Sequence, residues 1–315
     1  MLTVRGATLS AMAAAARLAR LGHDVTLVTG GAPLGDGWGD DGPLLLPAAW
    51  RDLFKKSGAH LVTVLNAAGL ELAAAPPAEH PLPDGSSLRL PAERGAQFRA
   101  VAAAFGEGEA ARWRDLIDDL DEVWAAFRRH ALEGTAPVAT PGQRAALWLD
   151  RTVGEAAARL RGPLAGLVLA QAESPDAPAL LALPLSVERT FGRWRLVDAG
   201  GAVQPSTRLV GLLADRLAER GVVVAEEAEG AVATDAAPPA GWRPATASAE
   251  DWRAGVPIVG GGGALRASAA SPAGPEPWAQ LGSAALAVYA LHERLTGEDP
   301  RPTNVDFRLP RLPRG

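Results

Sequence analysis

The sequence predicts an α/β fold: a parallel-sheet domain of the dinucleotide-binding type, with an inserted, mainly helical second domain. Three observations carry this expectation. The chain opens "MLTVRGATLSAMAAAARLARLGHDVTLVTGG", which reads as strand, tight turn, Ala-rich helix and second strand. Helical periodicity dominates residues 91–190. Extended structure then returns near Trp194 and in "GVVVAE" and "VPIVG".

The elements follow in order. Leu2 to Val4 is a short strand, residues 9–21 form a helix ended by Gly22, and "DVTLVT" is an apolar second strand of the buried, parallel kind. That order requires a right-handed crossover. "GDGWGDDG" is a loop, and "PAAWRDLFKKSG" is a helix with Pro47 in its first turn and Gly58 just past its end. "HPLPDGSSLRLP" places Asp84-Gly85 between two extended pieces, a β-hairpin pattern. In the helical region Trp113, Leu116, Ile117, Leu120, Trp124 and Phe127 recur at three- and four-residue steps, forming one apolar face. Asp115, Asp118, Asp119 and Glu122 take the opposite face. After Gly200-Gly201 come a helix at about 205–220, the strand "GVVVAE", a loop, the strand "VPIVG", a Gly run and a closing helix at about 278–296. "RPTNVDFRLPRLPRG" has too many prolines for regular structure and reads as a mobile tail.

Composition narrows the function classes. With 315 residues, 48% of them hydrophobic, the chain can bury one large core or two adjoining ones. The net charge is −5 and the only lysines are Lys55 and Lys56, which argues against a nucleic-acid partner. Without cysteine there is no disulfide, iron–sulfur cluster or thiolate zinc site. The five histidines show no pair at ligand spacing, so no metal site is expected. His23, in "LGHDV", reads as a surface residue in a helix-to-strand turn. No basic, apolar leader precedes the first strand and no run is fit to span a bilayer. The expectation is a cytoplasmic protein without a transmembrane segment, with peripheral membrane contact left open.

The opening turn is where function should be written. In a G-x-G-x-x-G turn the first Gly makes the bend, the second lets the backbone approach a pyrophosphate and the third packs helix on strand. An acid at the end of the second strand holds the ribose hydroxyls. The corresponding residues here are Gly6, Thr8 and Ala11, with Thr29 at the acid position. A β-branched Thr8 crowds the phosphate approach and resists any positive φ the turn requires. Thr29 offers no charge to two ribose hydroxyls. The residues that would touch a dinucleotide are Gly6, Ala7, Thr8, Leu9, Ser10 and Thr29.

Several segments together carry a family resemblance: "LSAMAAAARLARLGHDVTLVT", "DDGPLLLPAAWRDLFKKSG", "PLPDGSSLRLPAE", "FGEGEAARW", "ALLALPLSVERTFGRWRLVDAGGAVQPSTRLVGLLADRLAERGVVV" and "VPIVGGGG". In this order they resemble the phytoene-desaturase-like flavoproteins, of the wider amine-oxidase type of FAD-dependent oxidoreductase. The resemblance implies a Rossmann-type FAD domain assembled from residues 1–75 and 195–300, a mainly helical substrate domain over 76–194 and the mobile tail at 301–315. It also implies FAD as cofactor, an apolar small molecule as substrate, and a flavin site completed by Gly260, Gly261 and Gly262. The departures are equally plain. "GGAPLGDGW" lacks the Arg of the family's second FAD signature, and "AEEAEGAVATDAAPPAGWRPATASAEDWRAG" stands where the family continues through much of its substrate-domain sheet. Near "PEPW" the closing helix carries Glu276, a carboxylate where an anion would want positive potential. Two readings follow: a divergent FAD-dependent oxidoreductase, or a flavin-free descendant used for binding, scaffolding or redox-neutral isomerisation or cyclisation. Homo- or hetero-oligomers are compatible with both.

Competing motifs fall away. "VTGGAPLGDG" resembles the opening of short-chain dehydrogenases, but the sole tyrosine, Tyr289, has Glu293 where that family needs Lys. "DDLDE" at 118–122 resembles an isoprenoid-synthase magnesium motif without its Asn-bearing second half, and reads as a solvated helix face. No nucleophile elbow or acid–base pair stands out, and the catalytic residues stay unassigned. Trp38, Trp242, Trp252 and Trp278, in Gly/Pro-rich loops, read first as loop anchors, with pocket lining as the alternative.

Overall fold

The computed structural model describes residues 1–38, 42–82, 85–133, 138, 140–236, 263–267 and 276–301. In chain order the elements are β1 (Leu2–Arg5), α1 (Leu9–Arg20), β2 (Val25–Val28), β3 (Leu44–Leu45), α2 (Pro47–Ser57), α3 (Leu61–Ala67), β4 (Leu70–Ala74), β5 (Ala78–Pro81) and β6 (Ser87–Leu90). The helical stretch follows: α4 (Arg94–Phe105), α5 (Glu107–Phe127), α6 (Pro141–Ala146), α7 (Val153–Ala157), α8 (Gly162–Leu169) and α9 (Leu183–Phe191). Then come β7 (Arg193–Asp198), β8 (Val203–Gln204), α10 (Arg208–Glu219), β9 (Val223–Ala225), β10 (Val232–Asp235), β11 (Leu265–Arg266) and α11 (Pro277–Thr296).

Five strands form one parallel sheet in the order β11-β10-β1-β2-β9. β1 is thus the strand at which the order reverses, the place where α/β sheets of this kind open a crevice beyond their carboxyl ends. This is the Rossmann-type α/β class that the sequence predicts. β3, β7, β4 and β8 make a small antiparallel sheet, and β5 and β6 pair as a hairpin. The strands flanking Asp84-Gly85 do pair antiparallel, although residues 83–84 themselves lie outside the described residues.

α1 explains the alanines of the opening stretch. Ala13, Ala14, Ala15 and Ala16 are all 0% exposed, because the helix lies on β1 and β2 and is also covered by α11, α10 and α2. A helix enclosed on every side has no polar face to show, and small side chains let its neighbours approach closely. Leu9, Met12 and Leu18 fill the remaining gaps, each contributing about 1.5–3 kcal/mol by leaving water. Buried Arg17 is tied to Asp52 of α2 at 2.6 Å and donates to the Tyr289 hydroxyl at 3.4 Å. α2 runs as its punctuation predicts, closed by Gly58 at φ 103°. Its N-cap, Leu46, adopts an unanticipated left-handed conformation at φ 49°.

Two hydrophobic clusters fill the molecule. One gathers the parallel sheet with α1, α2, α10 and most of α11. The other gathers α5, α7, α8 and α9, including the predicted stripe from Trp113 to Phe127, together with Trp278 and Ala279 from the first turn of α11. α11 therefore passes from one core into the other.

Two expectations are corrected, and a third falls outside the described residues. The segment after "GVVVAE", read as a loop, contains β10, which pairs with β1 through Val232, Thr234 and Asp235. "VPIVG", the expected last strand, lies outside the described residues, and the strand found beside β10 is Leu265–Arg266, after the Gly run. His23 is no isolated surface residue: its Nε2 lies 2.9 Å from Nδ1 of His292, a buried residue of α11, so the α1–β2 turn is pinned to the last helix.

The histidine pair makes stability pH-dependent. Burial, then His292, then the N-terminal ammonium hold the His23 imidazole below its ordinary 6.5. A base with a depressed folded-state pKa favours folding above its unfolded value and loses that contribution as pH falls below it toward the folded value. Urea unfolding between about pH 7.5 and about pH 5 is expected to show the wild type weakening below about pH 6.5 and His23→Gln weakening less. Equal pH slopes in the two proteins would exclude the pair as the source.

Candidate functional site

The β1–α1 turn brings together the residues singled out from Gly6 to Ser10. Gly6 sits at φ 121°, open to glycine alone, and donates its N–H to the Val28 carbonyl at 2.8 Å. The carbonyl of buried Ala7 accepts from the N–H of Gly35 at 2.7 Å and of Asp36 at 3.1 Å, so the loop after β2 folds back over the turn. Thr8 is the N-cap of α1 at φ −68°, ψ 166°. This is ordinary extended backbone, and the expected conflict between a β-branched residue and a positive φ does not arise. Its Oγ1 accepts from Ala11 N–H at 3.4 Å and lies 2.9 Å from Oγ of Ser10, which is fully buried like Leu9 beside it.

Thr29 stands next to this turn, since β1 and β2 pair up to Arg5 and Val28. Both its N–H and its hydroxyl are directed at one carbonyl, that of Ala225 at the end of β9, at 2.9 and 3.4 Å. Gly260, Gly261 and Gly262 lie outside the described residues.

These observations test the described part of the cradle against FAD, the group that the fold type and the resemblance imply. A diphosphate binds at such a turn because the second glycine leaves the helix N-terminus bare. Here Thr8 fills that place with a side chain whose oxygen already caps the helix. Asp36 is joined to Thr8 by a backbone bridge, so the loop after β2 lies against the turn. At the ribose position Thr29 spends its hydroxyl on the neighbouring strand. The described cradle does not fit FAD at either point.

A second feature was not visible in the sequence. A cleft of about 430 Å³ opens between the two hydrophobic cores. One wall comes from the sheet side: Gly37 and Trp38 of the loop after β2, Leu44 and Leu45 of β3, Trp50 of α2 and the start of α11. The opposite wall comes from Gln171, just past α8, and from Pro184 and Glu188 of α9. Trp38 meets Trp50 edge-on at 5.4 Å, and Trp278 packs edge-on against Trp124 and Phe127 at 5.3 and 5.5 Å. The Nε1–H groups of Trp38 and Trp278 are buried and find no acceptor among the described residues. The loop-anchor reading of these two tryptophans thus meets the pocket-lining one, because they do both. Trp242 and Trp252 lie outside the described residues.

Glu188 is one of two acids that line the cleft. It lies in the last turn of α9, and after Gly192 at φ 73° the chain turns into β7, so that Arg193 comes back to donate to Oε2 of Glu188 at 2.9 Å. Burial nevertheless outweighs the guanidinium and pushes the Glu188 carboxyl up from the usual range. His80 on β5 is held low by burial and by the same Arg193. The only charged side chains lining the cleft among the described residues are Glu188 and Glu276.

Other acidic motifs are structural. Asp118 and Asp121 of "DDLDE" hold buried Arg189 of α9, and Asp119 pairs with Arg159 at 2.7 Å. Among the described residues no group of His, Cys, Asp and Glu is arranged to hold a metal, and no helix is long and apolar enough to cross a membrane.

No family model matches this sequence, and no curated protein matches it. Among solved structures, the chain is similar to putrescine oxidase bound to putrescine, at 18% identity and a TM-score of 0.44, over 71% of this chain and 50% of that one. It is also similar to Rab GDI from Plasmodium falciparum, at 11% identity and a TM-score of 0.38, over 71% and 57%. The chain thus spans about half the length of the structures it matches.

The closure of the loop over the turn rests on Gly35. At φ 82° it has no room for a side chain, since a Cβ there would come within 2.5 Å of Val210 Cγ1. Gly35→Ala is expected to destabilise the protein by about 1–3 kcal/mol, measured by urea unfolding. A neutral result would mean that the loop does not depend on this approach.

Proposed function

We propose that this chain is a flavin-free descendant of the phytoene-desaturase-like oxidoreductase plan, which binds a neutral, apolar small molecule in the cleft between its two cores. The observation that carries the reading is the Thr8 cap: the anion position of the β1–α1 turn is taken by the protein's own hydroxyl. The cleft supports the second half, since indoles and leucines line it beside uncharged polar groups and two acids, and among the described residues no basic group does. Its chemistry is then redox-neutral, carried by the protein's own groups.

The alternative, a divergent FAD-dependent oxidoreductase, keeps one observation in its favour. The turn retains the backbone of a dinucleotide site, with Gly6 at positive φ and Thr8 extended. Both readings meet in one experiment. The purified protein is expected to be colourless, to show no absorption near ~450 nm and to give no heat when titrated with FAD. A yellow preparation whose colour follows the protein through gel filtration would overturn the flavin-free reading. In Thr8→Gly with Thr29→Glu, the freed turn and the restored acid are expected to strengthen FAD binding by about 10²-fold, at about 1–2 kcal/mol per recovered contact. An unchanged affinity would place the obstruction elsewhere. Lipid extraction of the purified protein tests the cleft, and an extract without any apolar molecule counts against it.

A further inference from the structure

We propose that a groove along α11 is the seat of this chain's own residues 305–309, laid there as an extended strap between the two cores. The inference stands apart from the question of the flavin.

The groove has a volume of about 500 Å³. Leu281, Gly282, Ala285, Leu286 and Tyr289 of α11 line it, with Leu46 and Ala49 from the start of α2. Leu132, which packs on the helical core, also lines it and comes so close to Gly282 that a Cβ there would stand 2.5 Å from the leucine Cδ2. Leu281 and Leu286 belong to the sheet core. An apolar occupant therefore meets both cores at once. Trp278 lines the groove as well as the cleft, so such an occupant also steadies one wall of the cleft.

The course of the chain names the occupant. α11 ends at Thr296, and Gly297 then takes the left-handed conformation at φ 77°. Asp299 accepts from the N–H of Arg301 at 3.0 Å and pairs with its guanidinium at 2.7 Å. The same guanidinium reaches back to Glu293, inside α11, at 3.7 Å. By Arg301 the chain has thus doubled back beside the helix, and Arg301 itself lines the groove with Arg17 and Tyr289. The sequence that follows is delivered to the groove. From Tyr289 back to Trp278 α11 advances about 16 Å, a length that about five extended residues span. Residues 305–309, "VDFRL", supply that length after a short lead from Arg301. Val305, Phe307 and Leu309 alternate with Asp306 and Arg308, the pattern that gives an extended segment one apolar side. Pro302 and Pro310 bracket the stretch; proline disfavours helix and suits an extended segment set into an apolar groove with an aromatic wall. Because the segment is tethered, it needs little intrinsic affinity to fill its seat.

The chain has no cysteine, so introduced pairs report without background. In the full chain, Ala49→Cys combined with Phe307→Cys is expected to close an intramolecular disulfide under mild oxidation about 10-fold faster than Val62→Cys combined with Phe307→Cys. Val62, exposed on α3, lies outside the groove lining and serves as the control. Leu309→Cys with Ala49→Cys gives a second pair, so that one unfavourable geometry does not decide the outcome. Mass spectrometry reads the bond, and gel filtration separates monomer from dimer. Rates equal to the control for both pairs would overturn the proposal. Cross-links confined to dimers would seat the stretch of a second copy in the groove and overturn it too. In Phe307→Ser with Leu309→Ser, shown to be folded by circular dichroism, the emptied groove is expected to take up the apolar dye 8-anilinonaphthalene-1-sulfonate several-fold more strongly than the wild type. Equal uptake by the two proteins counts against the strap. None of these readouts depends on FAD, so their failure leaves the flavin-free reading untouched.

Discussion

The enclosure of α1 is the constraint on which the rest depends. A helix with sheet below it and helices around it cannot leave its first-turn N–H groups to water, and unpaired donors there would cost about 1–3 kcal/mol each. Related folds meet this demand with a ligand's phosphates. Here Thr8 meets part of it from within, and the loop that runs through Gly35 and Asp36 closes over the same turn. The described turn thus draws part of its hydrogen bonding from the protein's own groups.

The same substitution moves the centre of interest. With the β1–α1 turn occupied by the protein's own groups, one concave surface that stands out lies between the two cores, where α11 crosses from one to the other. Trp278 marks the crossing: its ring packs with Trp124 and Phe127 in the helical core, one turn before Leu281 enters the sheet core. Glu188 arrives from the other side on α9, held by an arginine only five residues further along the chain. The cleft and one of its two acids are thus set by two helices and a single corner.

Much of this was legible in the sequence, and the exceptions have physical causes. The alanines of α1, the stripe on α5 and the Pro47–Gly58 bracket of α2 are local signals, each written within one element, and the structure repeats them. β10 was missed because "VATD" is short, with one large apolar residue, and becomes a strand only through its pairing with β1. The contact of His23 with His292 spans nearly the whole chain, so no local window holds it. The cleft is invisible for the same reason: Trp38, Glu188 and Trp278 are each unremarkable alone and acquire meaning only when three distant segments meet. At the turn the sequence showed which glycine was lost, but the reason the loss is tolerated, a threonine in relaxed extended geometry, needed the backbone angles.

The union of α1 with α11 also sets an order of events during synthesis. The helical core draws nearly all its residues from one continuous stretch, from Leu88 to Val187, so its contacts can form soon after that stretch is made. The sheet core joins Val4 to Leu291, and its interior helix stays uncovered until the last helix arrives. The helix most enclosed in the finished fold is therefore the one left waiting for its cover. Its run of alanines, bland and weakly adhesive compared with leucine or valine, suits a segment that must wait for its partner without sticking to anything else.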